Sequence, residues 1–155
     1  MKKLWRIIFL GILLIVCLTG CDNAKEAESQ EEDVQDEEFV VSIQEDSLSS
    51  TGLVLIMENE SDDCAFSFGE AYALEKQEDG NWEEIEPIRE VAVIAIEYNV
   101  LPGESVEHTV NWDTKYGSLP EGDYRLVKQI EKRMDDGEDY NDSVGDFYIY
   151  VSFSI

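Results

Sequence analysis

The last nine residues, Phe147-Tyr-Ile-Tyr-Val-Ser-Phe-Ser-Ile155, alternate without interruption. Phe147, Ile149, Val151, Phe153 and Ile155 share one parity, and Tyr148, Tyr150, Ser152 and Ser154 share the other. A period of two belongs to a strand with one buried face, since a helix would scatter these apolar side chains around its cylinder. The same alternation sets Val106, His108, Val110 and Trp112 against Glu107, Thr109 and Asn111. Apolar runs at 39–43 and 53–57, a β-branched run from Val91 to Tyr98 and a run from Tyr124 to Ile130 repeat the signal. Phe66, Phe68, Tyr72 and Leu74 share a parity ahead of "KQEDGNW", where Asp79-Gly80 is a short hairpin signal. No window of about twelve residues or more combines helical periodicity with caps. The chain from 39 to 155 therefore reads as one all-β domain, an antiparallel sandwich of about seven strands.

The N-terminal segment follows different rules. Lys2, Lys3 and Arg6 precede an apolar stretch from Ile7 to Leu18 that only Gly11 interrupts. At ~1.5 Å per residue this stretch covers ~18 Å, short of the ~30 Å hydrocarbon core of a bilayer. That length suits the apolar region of a signal peptide. Leu18-Thr19-Gly20-Cys21 then resembles the lipobox of bacterial lipoproteins, whose small residues admit a peptidase and whose cysteine accepts the lipid. The resemblance implies removal of residues 1–20 by cleavage between Gly20 and Cys21. Lipidated Cys21 would then hold the chain on the extracytoplasmic face of the cell membrane. More than one acyl chain makes such an anchor durable. Asp22 resembles the inner-membrane retention signal of two-membrane bacteria, and has no such meaning in one-membrane envelopes.

Cleavage would discard Cys17 and acylation would occupy Cys21, which leaves Cys64 with no disulfide partner. Beside Ala65 and Phe66, Cys64 reads as a small buried hydrophobe. Residues 22–38, "DNAKEAESQEEDVQDEE", hold nine acids, one lysine and one large aliphatic residue. That composition cannot offset chain entropy by burial, so 21–38 is expected to be a disordered acidic linker behind the lipid. The whole chain has 36 acids against 11 Lys and Arg, a formal net charge of −25. A chain so anionic repels nucleic acid, favours a monomer and suits a basic partner.

In "SLPEGDYR", Leu119, Gly122 and Tyr124 resemble the tyrosine corner of immunoglobulin-like sandwiches, in which the phenol closes onto backbone just upstream. Together, "SLSSTGLVLIMENES", "YALEKQEDGNWEEI", "LPGESVEHTVNW" and "YGSLPEGDYRLVKQI" resemble a family of bacterial immunoglobulin-like domains carried by lipoproteins. The resemblance covers about residues 47–155 and implies a fold and a surface location without a set activity. The antibody-type cysteine pair is absent.

Candidate chemistry is sparse. His108, the one histidine, shares a parity with Val106, Val110 and Trp112, so a packed position is expected. With no second histidine and no spare cysteine, a zinc site of that type is nearly excluded, and no nucleophile motif supports a Ser-His-Asp relay. The loop "MDDGEDYNDSVGD" crowds Asp135, Asp136, Glu138, Asp139, Asn141 and Asp142 together, the oxygen ligands that calcium takes. Its order does not fit an EF-hand, and a solvated hairpin loop is the favoured reading. The expectation is thus a membrane-tethered immunoglobulin-like binding or structural module, not an enzyme and without a cofactor. The alternative is a cation-dependent enzyme, or a solute- or calcium-binding lipoprotein using the 134–146 loop.

Overall fold

The computed structural model describes residues 36–92, 94–134 and 142–155. These build nine strands: β1 (Phe39–Ile43), β2 (Gly52–Asn59), β3 (Cys64–Gly69), β4 (Ala73–Glu78), β5 (Asn81–Glu84), β6 (Glu97–Val100), β7 (Ser105–Asn111), β8 (Asp123–Met134) and β9 (Asp142–Ser154). One short helix, α1 (Asp113–Tyr116), follows β7. Every pairing is antiparallel, in two sheets. The smaller has the order β1-β2-β7, and the larger runs β5-β4-β8-β3-β6 with β9 on the other side of β8. The fold is an immunoglobulin-like antiparallel β-sandwich.

The expected alternations decide which faces meet. From β2 come Leu53, Leu55 and Met57, and from β7 come His108 and Val110, all buried. Opposite them lie Phe66, Phe68, Leu74, Tyr124, Leu126, Ile130, Ile149 and Phe153. Burial at roughly 25 cal/mol per Å² of apolar surface drives this closure. Gly52 is required where β2 meets β7, because a Cβ there would lie 2.6 Å from the Val110 carbonyl oxygen.

The nine strands exceed the expected number because the run from Cys64 to Glu78 breaks into β3 and β4. Both pair with the same edge of β8, Ser67 opposite Glu131 and Ala73 opposite Val127. Five residues on the broken side thus face three on β8, so Glu70-Ala71-Tyr72 bulges out of the ladder. The hairpin at Asp79-Gly80 forms as expected, with φ of 51° and 87° at the two turn residues. The run from Val91 to Tyr98 does not form the strand its composition predicts, because only Glu97–Val100 pairs, against β3. Upstream of Glu97 the neighbouring edge is the bulge, which offers no regular ladder.

The fold takes hold ahead of Phe39. Asp36 and Glu38 accept hydrogen bonds from Lys132 Nζ at 2.9 and 2.8 Å, and the Glu38 carbonyl accepts from Glu60 N at 2.8 Å. At the same end, buried Asn59 donates to the carbonyls of Cys64 and Val100 at 2.8 and 2.9 Å. Its Oδ1 accepts from Ser61 N and Ser61 Oγ at 3.0 and 2.6 Å. One amide therefore joins β2 of the first sheet to β3 and β6 of the second with all its polar atoms satisfied.

Candidate functional site

Tyr124 begins the core-facing row of β8, and its hydroxyl donates to the Pro120 carbonyl at 2.9 Å. Leu119 is buried beside it, and a Cβ on Gly122 would sit 3.3–3.4 Å from the Tyr124 ring and hydroxyl. Phe153 stacks between Tyr124 and Trp112, with centroids at 5.8 and 5.4 Å. The Trp112 indole N–H donates to the Ser50 carbonyl at 2.9 Å. This end of the sandwich is closed, and its polar tips are spent on backbone.

The β3–β4 break differs. Lys128 lies on the core-facing parity of β8 between Leu126 and Ile130, and only 1% of its surface is exposed. Its ammonium donates to the carbonyls of Gly69 and Ala71, the groups the bulge removes from the ladder. It also lies 5.1 Å from the Phe68 ring centroid. Burial lowers its pKa to about 8, with Glu70 acting in the opposite direction. His108 packs edge-on against Phe68 and Tyr98 at 5.1 and 5.2 Å, and burial followed by the charge of Lys128 holds its pKa below the usual histidine value. Tyr98 in turn donates to Glu70 Oε1 at 2.5 Å, which raises the phenol's pKa. Lysine, histidine, tyrosine and glutamate thus gather behind one bulge. A lysine on the apolar parity of β8 was the signal for this cluster, and parity alone would have found it.

Outside the bulge a groove of about 710 Å³ opens on the solvent-facing side of the larger sheet. Gly69, Gln129 and Glu131 lie along its floor, with Ile96 and Glu97 on one side and Asp146 on another. Arg133 bridges Glu97 and Glu131 at 2.5 and 2.9 Å, and this contact holds the Glu131 carboxyl below its ordinary pKa. Asp146 Oδ2 accepts from Gln129 at 2.8 Å. The connection from β5 to β6 crosses above the bulge and leaves Ile88, Val91, Ile94 and Ile96 exposed, by 66, 44, 68 and 43%. On its other side a smaller hollow of about 230 Å³ lies against Tyr72 and Lys115.

The remaining sequence-stated positions fall as follows. Gly20 and Cys21 lie outside the described residues, as do Asp135, Asp136, Glu138, Asp139 and Asn141. Asp142 is exposed at the start of β9, opposite Met134. Among the described residues no group of three His, Cys, Asp or Glu side chains could hold a metal ion. Cys64 is buried, its Sγ 3.1 Å from Ser61 Oγ, and burial raises its pKa.

Two sheets and a tyrosine locked to backbone four residues upstream define an immunoglobulin-like domain. Residues 35–143 match the family model described as bacterial Ig-like domain, and the chain belongs to that family. No curated protein and no solved structure matches the chain.

Proposed function

We propose that this chain is a lipid-anchored binding or structural module of the bacterial cell envelope. Residues 1–20 are its signal peptide, Cys21 is its lipidated first residue, and the acidic residues that follow are its linker. The immunoglobulin-like domain then stands on the extracytoplasmic face of the membrane. Family membership is the observation that carries the domain's role, because such a sandwich presents edges and loops for recognition on a rigid frame. The lipobox order of positive, apolar and small-residue segments supports the address.

In this reading the module works without catalysis and without a cofactor, and the alternative is calcium or another cation held by the acidic 134–146 loop. The one histidine is buried among Phe68, Tyr98 and Lys128, which supports a packed role for it. With 36 acids against 11 bases, its partner is a basic or neutral surface and not nucleic acid, and the free chain is a monomer. Metabolic labelling with a fatty-acid precursor tests the anchor. Label should appear in the wild type and vanish in Cys21→Ser, with the variant shifting from the membrane to the soluble fraction. Equal label in both overturns the proposed location.

A further inference from the structure

The stretch ahead of β6, from Val91 to Ile96, spells a strand in sequence, and its described residues form none. Val91, Ile94 and Ile96 are aliphatic residues of high β-propensity, yet 44, 68 and 43% of their surfaces meet water. The backbone of Ile96 N bonds only back to Ile94 O, at 2.9 Å, among the described backbone contacts of this turn. Such a conflict between local propensity and observed state marks functional segments more often than packing errors.

What lies beside it sets the chemistry. The groove of about 710 Å³ begins at Ile96 and runs over Gly69, at the end of β3 beside the bulge, toward Glu131 and Asp146. Glu97, Glu131 and Asp146 bring three carboxylates to it, and Arg133 is the cation that answers Glu97 and Glu131. An apolar rim with a net negative floor is complementary to an extended chain that alternates aliphatic and basic side chains. Nucleic acid and anionic lipid would be repelled by the same floor. A second copy of this chain would bring its own −25 charge to the contact.

We propose that the rim at Ile96, continued by Ile94 over the neighbouring hollow, and the groove floored by Gly69 and Glu131 and flanked by Asp146 dock an extended, basic-and-aliphatic segment of a partner protein. This rests on the reading of the chain as a binding module and supplies that module's recognition surface. Aliphatic side chains of the segment cover Ile94 and Ile96, while its lysine or arginine side chains lie over Gly69 toward the carboxylates. The absence of a side chain at Gly69 keeps this path open.

A fluorescent peptide alternating lysine and valine, titrated into the full chain and followed by anisotropy, is the test. The peptide should saturate at one site, and Ile94→Ser with Ile96→Ser should weaken it ~10-fold or more. Glu131→Gln with Asp146→Asn should weaken it comparably, and replacing the peptide's valines by serine should do the same. Asp62→Asn with Asp63→Asn removes equal charge from a different loop and should leave binding unchanged. Equal losses from both acid pairs would reduce the effect to general electrostatics and overturn the proposal. So would binding that ignores the isoleucines, or dimerisation through them with no peptide bound. The isoleucines are exposed, so their loss leaves the fold intact and an unchanged melting temperature verifies that. Retained lipid label in Cys21→Ser would remove the membrane address and leave this surface standing, whereas failed peptide binding would leave the address standing.

Discussion

The start and the middle of β8 show two ways of closing a core. At Tyr124 the strand enters beside Trp112 and Phe153, three large rings whose polar tips are all bonded to backbone or absent. Four residues on, Lys128 occupies the same parity and meets the bulge left by Glu70-Ala71-Tyr72. The first position is closed by apolar area. The second is closed by one buried cation that supplies donors to two carbonyls without ladder partners. Apolar closure follows from pattern alone and tolerates any pH. Closure by an amine depends on its protonation, and the groove lies on the outer face of the same break.

The largest difference between the two positions should appear on truncation. Trp112→Ala removes a fully buried indole and is expected to cost ~3–5 kcal/mol in urea unfolding. A cost below ~1 kcal/mol would show that the ring position is not the tighter of the two. Protonation separates them next. Lys128 has a folded pKa of about 8 against an ordinary 10.5, so between these values the unfolded chain binds the proton that the folded chain lacks. Stability contributed through this residue therefore rises with pH across that window, where the neutral amine still donates to both carbonyls. Measured as a difference from Lys128→Met, wild-type stability should climb from about pH 8 to pH 10.5. A flat difference would mean that the ammonium is solvated in the folded state. The smallest effect belongs to the corner itself. Tyr124→Phe keeps the ring and loses one hydrogen bond to Pro120, an expected ~1 kcal/mol with no change in pH dependence.

Legibility in the sequence follows the same division. β7 and β9 announce themselves because a half-buried strand must alternate, β1 and β2 as short apolar runs, and the Asp79-Gly80 turn because few residues adopt its positive φ values. The bulge has no such local rule. It is fixed by two extra residues relative to β8, a count that only the paired register discloses. The Val91–Tyr98 run misled for the related reason that β-propensity describes a residue's fitness for a strand and not the presence of a neighbour. Lys128 was legible in principle, since Leu126 and Ile130 flank it on one face. Asn59 was not, because its four bonds converge from Ser61, Cys64 and Val100 only after folding. The groove combines both failures, drawing its rim from the unpaired run and its floor from the bulge.

Lys132 gives the domain a mechanical entrance. Chain leading in from the N-terminal side reaches Asp36 and Glu38 first, and both are pinned to one ammonium on β8, in the opposite sheet from β1. A pull on that lead would be shared with β8, which pairs β9 along twelve residue positions, before it could peel β1 from β2. The lead into β1 is thus fastened twice, by the Lys132 ion pairs to the longest ladder among the described residues and by the Glu38 carbonyl to the turn after β2, like a cable clamped at both sides of its plug.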